Sequence, residues 1–231
     1  RACLLTGRNH HNNGMARVVE LASGFPGYDA DIPPENGFVS EILRDGGYAT
    51  FAVGKWHLTP AHEMAPGGPR EHGFLEGETD QYHPDLVSDG AQVRPPKTPD
   101  EGYHLTEDLA DRAIGFIKDL RAYSADKPFF CWFAPGACHA PHQAPPEYIE
   151  PYRGRYDLGW DAWREQVFAR QVASGLLPAG TELSERPSWV PAWDSLTDDE
   201  RRLYARMMEV YAGFLTHTDA QVGRVIDFIE S

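Results

Sequence analysis

Apolar positions in the middle of the chain follow a helical period and then close up into a continuous run. From Thr106 onward one face of a predicted helix is apolar, with Leu109, Ala113, Phe116, Ile117 and Leu120 at helical spacing. The Lys-Pro pair at 127–128 interrupts this pattern, because proline cannot supply a backbone donor to a helix. The aromatic run at 129–133 then predicts a buried strand.

A second helix and strand are predicted nearer the start of the chain. The helix would be capped by Asn36, end at the glycines of 46–47, and bury an apolar face made of Phe38, Val39, Ile42 and Leu43. The aromatic and β-branched run at 48–53 predicts the strand that follows. The order helix, glycine stop, strand is typical of parallel sheets. The fold class is therefore predicted as α/β, with a mostly parallel or mixed central sheet flanked by helices.

Two long segments lack a sustained period. Residues 59–102 are rich in Gly, Pro, His and Asp, and 150–194 hold four tryptophans, with one short helix predicted near 160–175. We expect both segments to be irregular insertions within a single domain. The sequence Thr-Asp-Asp-Glu at 197–200 is a capping box, and it predicts the start of a long final helix.

Composition narrows the range of partners. The chain has 231 residues, 41% of them hydrophobic, which is enough for one substantial core. Its net charge of -14 argues against a nucleic-acid partner, and no apolar run reaches the roughly 18 residues of a membrane span. The three cysteines, Cys3, Cys131 and Cys138, form no CxxC pair and are interpreted as small buried side chains.

Three short segments carry side chains suited to binding an anion and moving a proton. Arg1 precedes a Leu-Leu-Thr-Gly run, and its guanidinium offers a rigid fork of donors. Lys55 and His57 follow the predicted strand at 48–53, where Lys supplies a point charge and His a proton acceptor near neutral pH. His139 and His142 follow the strand at 129–133. Taken singly, each segment also fits a structural role: a solvated terminus, a loop lysine beside a packed histidine, or a stiff histidine loop.

The order and spacing of these segments resemble the sulfatase family. The family's signature is Cys or Ser-x-Pro-x-Arg followed by x-x-Leu-x-Thr-Gly, and residues 1–8 match its second half. Gly-Lys-Trp-His at 54–57 and His-Ala-Pro-His-Gln-Ala-Pro at 139–145 follow in the family's order, and similarity to arylsulfatases of the alkaline phosphatase superfamily extends over essentially the whole chain. The resemblance implies that residues 1–231 are part of a sulfatase N-terminal catalytic domain, as an internal fragment that lacks both ends.

The resemblance also implies a role for each candidate residue. Arg1 would hold the formylglycine nucleophile, which is made from a Cys or Ser four residues upstream. Lys55 would bridge that nucleophile and the sulfate oxygens. His57 would act as the base that eliminates sulfate, and His139 would contact the sulfate and the leaving-group oxygen. His142 would be a secondary substrate-binding residue at a more variable position.

A cofactor and partners follow from the same resemblance. The family uses a divalent cation, usually Ca²⁺, and its ligands are expected outside this chain, so no metal ligand is assigned within it. The expected partners are a small-molecule sulfate ester and a formylglycine-generating or equivalent maturation enzyme. Because the nucleophile and the metal ligands lie elsewhere, we expect residues 1–231 alone to be inactive.

Two alternatives stay open on the sequence. A phosphonate or phosphate monoester hydrolase of the same superfamily would use the same anion-binding groups. A catalytically dead homologue acting as a binding domain is the non-enzymatic alternative. The retention of Arg1, Lys55, His57 and His139 argues against such a decayed site.

Overall fold

A mixed five-stranded sheet organises the first part of the computed structural model, which describes residues 1–58, 70–74, 86–89 and 91–231. The strands are β1 (Ala49–Lys55), β2 (Arg70–Phe74), β3 (Leu86–Ser88), β4 (Ala91–Val93) and β5 (Phe129–Ala134), in the order β4-β3-β2-β1-β5. Strand β1 pairs in parallel with both β2 and β5, whereas β3 is antiparallel to β2 and β4. The prediction of a mostly parallel or mixed sheet is therefore confirmed.

Six α-helices accompany the sheet in the described residues. They are α1 (Ala2–Thr6), α2 (Val39–Asp45), α3 (Leu105–Tyr123), α4 (Pro146–Ile149), α5 (Gly159–Ala173) and α6 (Asp198–Glu230). Short 3-10 turns connect them, at His11–Asn13, Val19–Leu21, Pro34–Asn36, Pro99–Glu101, Glu150–Tyr152 and Trp193–Ser195. By contact density the chain divides into two compact units, Arg1–Pro141 with Thr218–Ser231, and His142–His217.

The main core of the first unit lies between α3 and one face of the sheet. Phe51 and Val53 of β1 are buried there, because alternate residues of a strand point to the same face. Leu109, Ala113 and Ile117 on the apolar stripe of α3 are fully buried against them. The predicted helix and its buried face are thus confirmed, and the helix runs to Tyr123.

A second apolar cluster covers the other face of the sheet. Phe130 and Trp132 of β5 pack into it, while the alternate residues Phe129, Cys131 and Phe133 pack into the α3 core. The cluster also buries Ala2, Leu5, Phe38, Trp56 and Leu58. All six residues of β5 are half-buried rather than fully buried as predicted, because β5 is the last strand in the sheet order.

Two expectations for the earlier segments need correction. Helix α2 begins at Val39 after Phe38, with the Glu41 carboxylate accepting from the Phe38 amide at 2.9 Å. Asn36 therefore does not cap it, and Ile42 is 68% exposed instead of facing the core. The segment 59–102, expected to be irregular, contains β2, β3 and β4 among its described residues. These strands are only three to five residues long. Strands this short show no clear alternation of apolar and polar residues in the sequence.

The second unit, His142–His217, has an aromatic core of its own. Trp193, Leu196 and Ala205 are buried there, with the rings of Trp160 and Trp193 meeting edge-on at 4.8 Å between centroids. Helix α5 covers most of the predicted 160–175 segment. The predicted capping box is present, since the Glu200 carboxylate accepts from the Thr197 amide at 2.8 Å and the Thr197 hydroxyl accepts from the Glu200 amide at 3.3 Å.

Candidate active site

The carboxyl ends of β1 and β5 approach each other closely at Gly54. Gly54 is paired with Ala134 and has φ +106°, a conformation that side chains rarely adopt. A Cβ at this position would overlap the Ala134 carbonyl. Because both strands are parallel, the loops that follow them leave from one edge of the sheet, the usual place for a site in α/β folds.

Arg1 lies at the start of α1. The helix is anchored by Ala2 and Leu5, which are buried in the second apolar cluster. Although Arg1 itself is exposed, enough protein surrounds its guanidinium that partial burial lowers the pKa of Arg1. An arginine remains charged in proteins, so α1 presents a fixed cation.

Lys55 is a buried cation at the last position of β1. It is 5% exposed, and burial is the main cause that lowers the pKa of its ammonium. The positive charge of Arg1 lowers that pKa further, whereas the negative charge of Glu20 acts in the opposite direction. Arg1, Lys55 and Glu20 therefore interact through their charges. Two cations held this way, one of them desolvated, favour an anionic ligand.

His57 is held by Glu20, a residue that the sequence analysis did not identify. The His57 Nε2 atom lies 2.8 Å and 2.9 Å from the two carboxylate oxygens. The hydrogen bond with His57 is the largest cause that lowers the pKa of Glu20. His57 also has φ +55°, which is uncommon for a residue with a side chain. Glu20 lies 37 residues before His57, in the turn Val19–Leu21, and no spacing rule connects them.

A network of amide side chains supports the turn that follows α1. Asn13 is fully buried and donates to the Thr6 hydroxyl at 2.9 Å and to the Arg8 carbonyl at 3.2 Å. Asn36 in turn donates to the Asn13 side-chain oxygen at 2.9 Å. The Thr6 hydroxyl donates to the Ala2 carbonyl at 2.8 Å. Three side chains thereby hold the helix that carries Arg1.

Replacing Asn13 by alanine is expected to destabilise the protein by about 2 kcal/mol, because a buried network loses its central member. Chemical denaturation measures this as a lower midpoint at an unchanged slope. Asn12 is the matched control, since its side chain is exposed and only its backbone carbonyl accepts from Asn36. Equal stability of the two alanine variants would contradict the structural role of Asn13.

The two histidines after β5 are placed differently. His139 lies in the loop after β5 with its residue exposed, and its Nδ1 is 2.6 Å from the Ala140 carbonyl. His139 shares with Lys55 only the sheet edge at which β1 and β5 end. Arg1, Lys55 and His57, by contrast, are connected through Glu20 and their charges. His142 belongs to the second unit.

The ring of His142 has aromatic neighbours. It meets Tyr211 edge-on at 5.0 Å between ring centroids and lies 6.2 Å from Phe214. This packing gives the histidine a structural role within the second unit. A role in substrate binding stays a prediction for His142.

The cysteines differ from the prediction of small buried side chains. Cys3 and Cys138 are exposed. Cys131 is the exception, because burial raises the pKa of its thiol to about 11. Cys3 lies on α1 and Cys138 directly precedes His139, so the two exposed thiols are close in sequence to candidate site residues.

Other places in the described residues offer less. No group of three or more His, Cys, Asp or Glu side chains in the described part of the chain could hold a metal ion. None of its helices is both long enough and apolar enough to span a membrane.

A cavity of about 180 Å³ in the second unit is lined by aromatic and methionine side chains, without a charged group to bind an anion. The candidate site is therefore the cluster of Arg1, Glu20, Lys55 and His57.

Sequence comparisons relate this chain to known proteins over its whole length. The sulfatase family model matches residues 1–231. An uncharacterized sulfatase of Schizosaccharomyces pombe is 30% identical over 256 residues, covering 100% of this chain and 46% of the relative. An arylsulfatase of Klebsiella aerogenes is 28% identical over 251 residues, covering 100% of this chain and 52% of the relative. The chain thus spans about half the length of the curated relatives it matches.

Solved structures agree at the level of the fold. A crystal structure of Ps i-CgsB has a TM-score of 0.62 at 21% identity, covering 100% of this chain and 43% of that one. A protein in complex with its substrate D-glucosamine-2-N,6-O-disulfate has a TM-score of 0.62 at 17% identity, covering 99% of this chain and 51% of that one. The predicted fold class is confirmed.

Proposed function

The chain belongs to the sulfatase family, and on that premise we propose that the intact protein hydrolyses a sulfate ester, as an arylsulfatase-like enzyme. The observation that carries the proposal is the buried Lys55 ammonium within electrostatic reach of Arg1. A sulfate group between these cations would compensate their mutual repulsion and the loss of solvation at Lys55. The oxygen atoms of a sulfate group are also spaced so that two of them can accept hydrogen bonds from one guanidinium.

The residues of this chain supply charge and proton transfer in the proposed reaction. A maturation enzyme would make formylglycine from the residue four positions before Arg1. One hydroxyl of the hydrated aldehyde would then attack sulfur. Arg1 and Lys55 stabilise the negative charge that accumulates on the sulfate oxygens as the ester bond breaks. His139 gives a proton to the departing alcohol or phenol as its bond to sulfur breaks. His57 then takes the proton of the second hydrate hydroxyl, so that the aldehyde re-forms and the carbon–oxygen bond to sulfate breaks.

The expected Ca²⁺ ion takes no part in these assignments. A calcium ion needs six to eight oxygen ligands. We propose that the ligands of the ion lie outside residues 1–231. The roles of Arg1, Lys55, His57 and His139 rest on their own charges and protons.

The proposal is tested by hydrolysis assays on the intact protein with matched 4-nitrophenyl sulfate and 4-nitrophenyl phosphate. An aryl sulfate is a suitable probe because the Klebsiella aerogenes relative is an arylsulfatase. We expect faster turnover of the sulfate ester, together with an aldehyde found by mass spectrometry four residues before Arg1. Faster phosphate hydrolysis without an aldehyde would indicate a phosphoryl-transfer enzyme. Turnover of neither ester, with an unmodifiable residue there, would indicate a binding domain.

A further inference from the structure

The Glu20–His57 contact has a chemical consequence for the imidazole. An ionised carboxylate only accepts hydrogen bonds, and both of its oxygens lie within 2.9 Å of the His57 Nε2 atom. Nε2 must therefore carry a proton whenever Glu20 is ionised. In the neutral imidazole the free lone pair is then on Nδ1.

The surrounding charges keep Glu20 ionised near neutral pH. The hydrogen bond from His57 is the largest influence lowering the pKa of the Glu20 carboxyl, and the charge of Lys55 adds to it. Arg1 also acts on Lys55, so Glu20 is the one anion beside two neighbouring cations and His57 in this cluster. The His57 side chain is only 10% exposed, against 52% for Glu20, so the carboxylate replaces water as the partner of Nε2.

We propose that Glu20 is a positioning residue that fixes the tautomer of His57, so that Nδ1 is the nitrogen that accepts a proton during turnover. The inference rests on the proposed function, since it names the atom through which His57 acts. When Nδ1 takes up the proton, the imidazolium is stabilised by the Glu20 carboxylate. The proton then passes from Nδ1 to water, and the Nε2–carboxylate contact is kept throughout.

Three substitutions in the intact protein separate the charge of Glu20 from its geometry. Glu20→Ala removes both, Glu20→Gln keeps the shape without the charge, and Glu20→Asp keeps the charge on a shorter stem. Glu35→Gln is the matched control, because Glu35 is an exposed carboxylate in a neighbouring turn. Thermal melts establish that each variant is folded, which is expected since Glu20 is about half exposed.

Imidazole ¹⁵N NMR gives a readout that does not depend on turnover. The His57 signals are assigned by comparison with His57→Gln. We expect a protonated Nε2 and an unprotonated Nδ1 in the wild type and in Glu35→Gln. In Glu20→Ala we expect a mixture of tautomers, and Glu20→Asp should restore most of the wild-type pattern.

Kinetics supply the second readout. For Glu20→Ala we expect kcat to fall about 10- to 100-fold with little change in KM, as for the loss of other partners that orient a functional histidine. Glu20→Gln keeps an amide oxygen that can accept from Nε2, so its loss of kcat should be smaller than that of Glu20→Ala.

The two readouts separate this inference from the proposed function. Wild-type tautomer signals in Glu20→Ala would overturn the inference, whatever the kinetics. A protonated Nδ1 in the wild type would do the same. The expected tautomer change, in a protein that hydrolyses no sulfate ester, would support the positioning contact and overturn the proposed function alone.

Discussion

Replacing Lys55 by methionine is expected to lower kcat/KM of the intact protein for an aryl sulfate by about 10²- to 10³-fold, the usual cost of losing one group that stabilises transition-state charge. Methionine has a similar length and no charge, so it fills the space at the end of β1 without binding the anion. Because Lys55 is 5% exposed and its charge is desolvated, the variant should melt at the same temperature or higher. Steady-state kinetics and a thermal melt measure the two effects together.

The stability of the wild type relative to Lys55→Met is expected to rise with pH. Burial and Arg1 lower the pKa of Lys55 in the folded protein below its ordinary value of 10.5. Between the folded and unfolded values the unfolded chain binds more protons, so Lys55 makes wild-type stability rise with pH relative to Lys55→Met. Any advantage of the methionine variant is therefore largest at neutral pH and narrows toward 10.5.

Lys127→Met is the matched control for both measurements, because Lys127 is exposed in the loop before β5. Lys127→Met should leave kcat/KM for the aryl sulfate unchanged. It should also leave the pH dependence of the protein's stability unchanged. If Lys55→Met kept wild-type kcat/KM, the role of Lys55 in the proposed site would be wrong.

Replacing Gly54 by alanine is expected to destabilise the protein by about 3 kcal/mol or more. Alanine at φ +106° costs about 1–2 kcal/mol of backbone strain, and the overlap of its Cβ with the Ala134 carbonyl adds about 1–3 kcal/mol. The two strands must separate at the edge where Lys55 lies, so activity should fall as well. Denaturant unfolding and the sulfate-ester assay measure the two losses.

Gly47→Ala separates these two contributions. Gly47 has φ +92°, similar to Gly54, but no atom lies within 4 Å of a Cβ placed there. This control variant should therefore show the backbone strain without the steric overlap. If Gly54→Ala and Gly47→Ala were equally stable, the close approach of β1 and β5 would not contribute to the loss of stability in Gly54→Ala.

Much of this arrangement could be predicted where local signals were strong. The apolar stripe at helical spacing predicts helix α3. The compact aromatic and β-branched run after a pair of glycines predicts strand β1. Lys55 and His57 are predicted as site residues because they follow that strand and match a family motif. The sheet then brings Lys55 together with Arg1, 54 positions earlier in the sequence.

The features that were missed depend on contacts between distant residues. Glu20 lies in a short turn, and only the folded chain brings its carboxylate to His57. Strands β3 and β4 are three residues each, too short for alternation to be visible. Ile42 fits an apolar helix face by its spacing, yet it is 68% exposed, because α2 has only seven residues and buries Ser40 and part of Val39 instead.

The difference among the three thiols makes the native chain suitable for chemical labelling. Thiolates are the reactive form of cysteine, and with a pKa of about 11 Cys131 remains a thiol at neutral pH. Cys3 and Cys138 are exposed, so a maleimide reagent should modify them and leave Cys131 unmodified. A fluorophore attached at either position would lie a few residues from Arg1 or His139. Occupancy of the anion site could then be followed optically without introducing a single foreign residue.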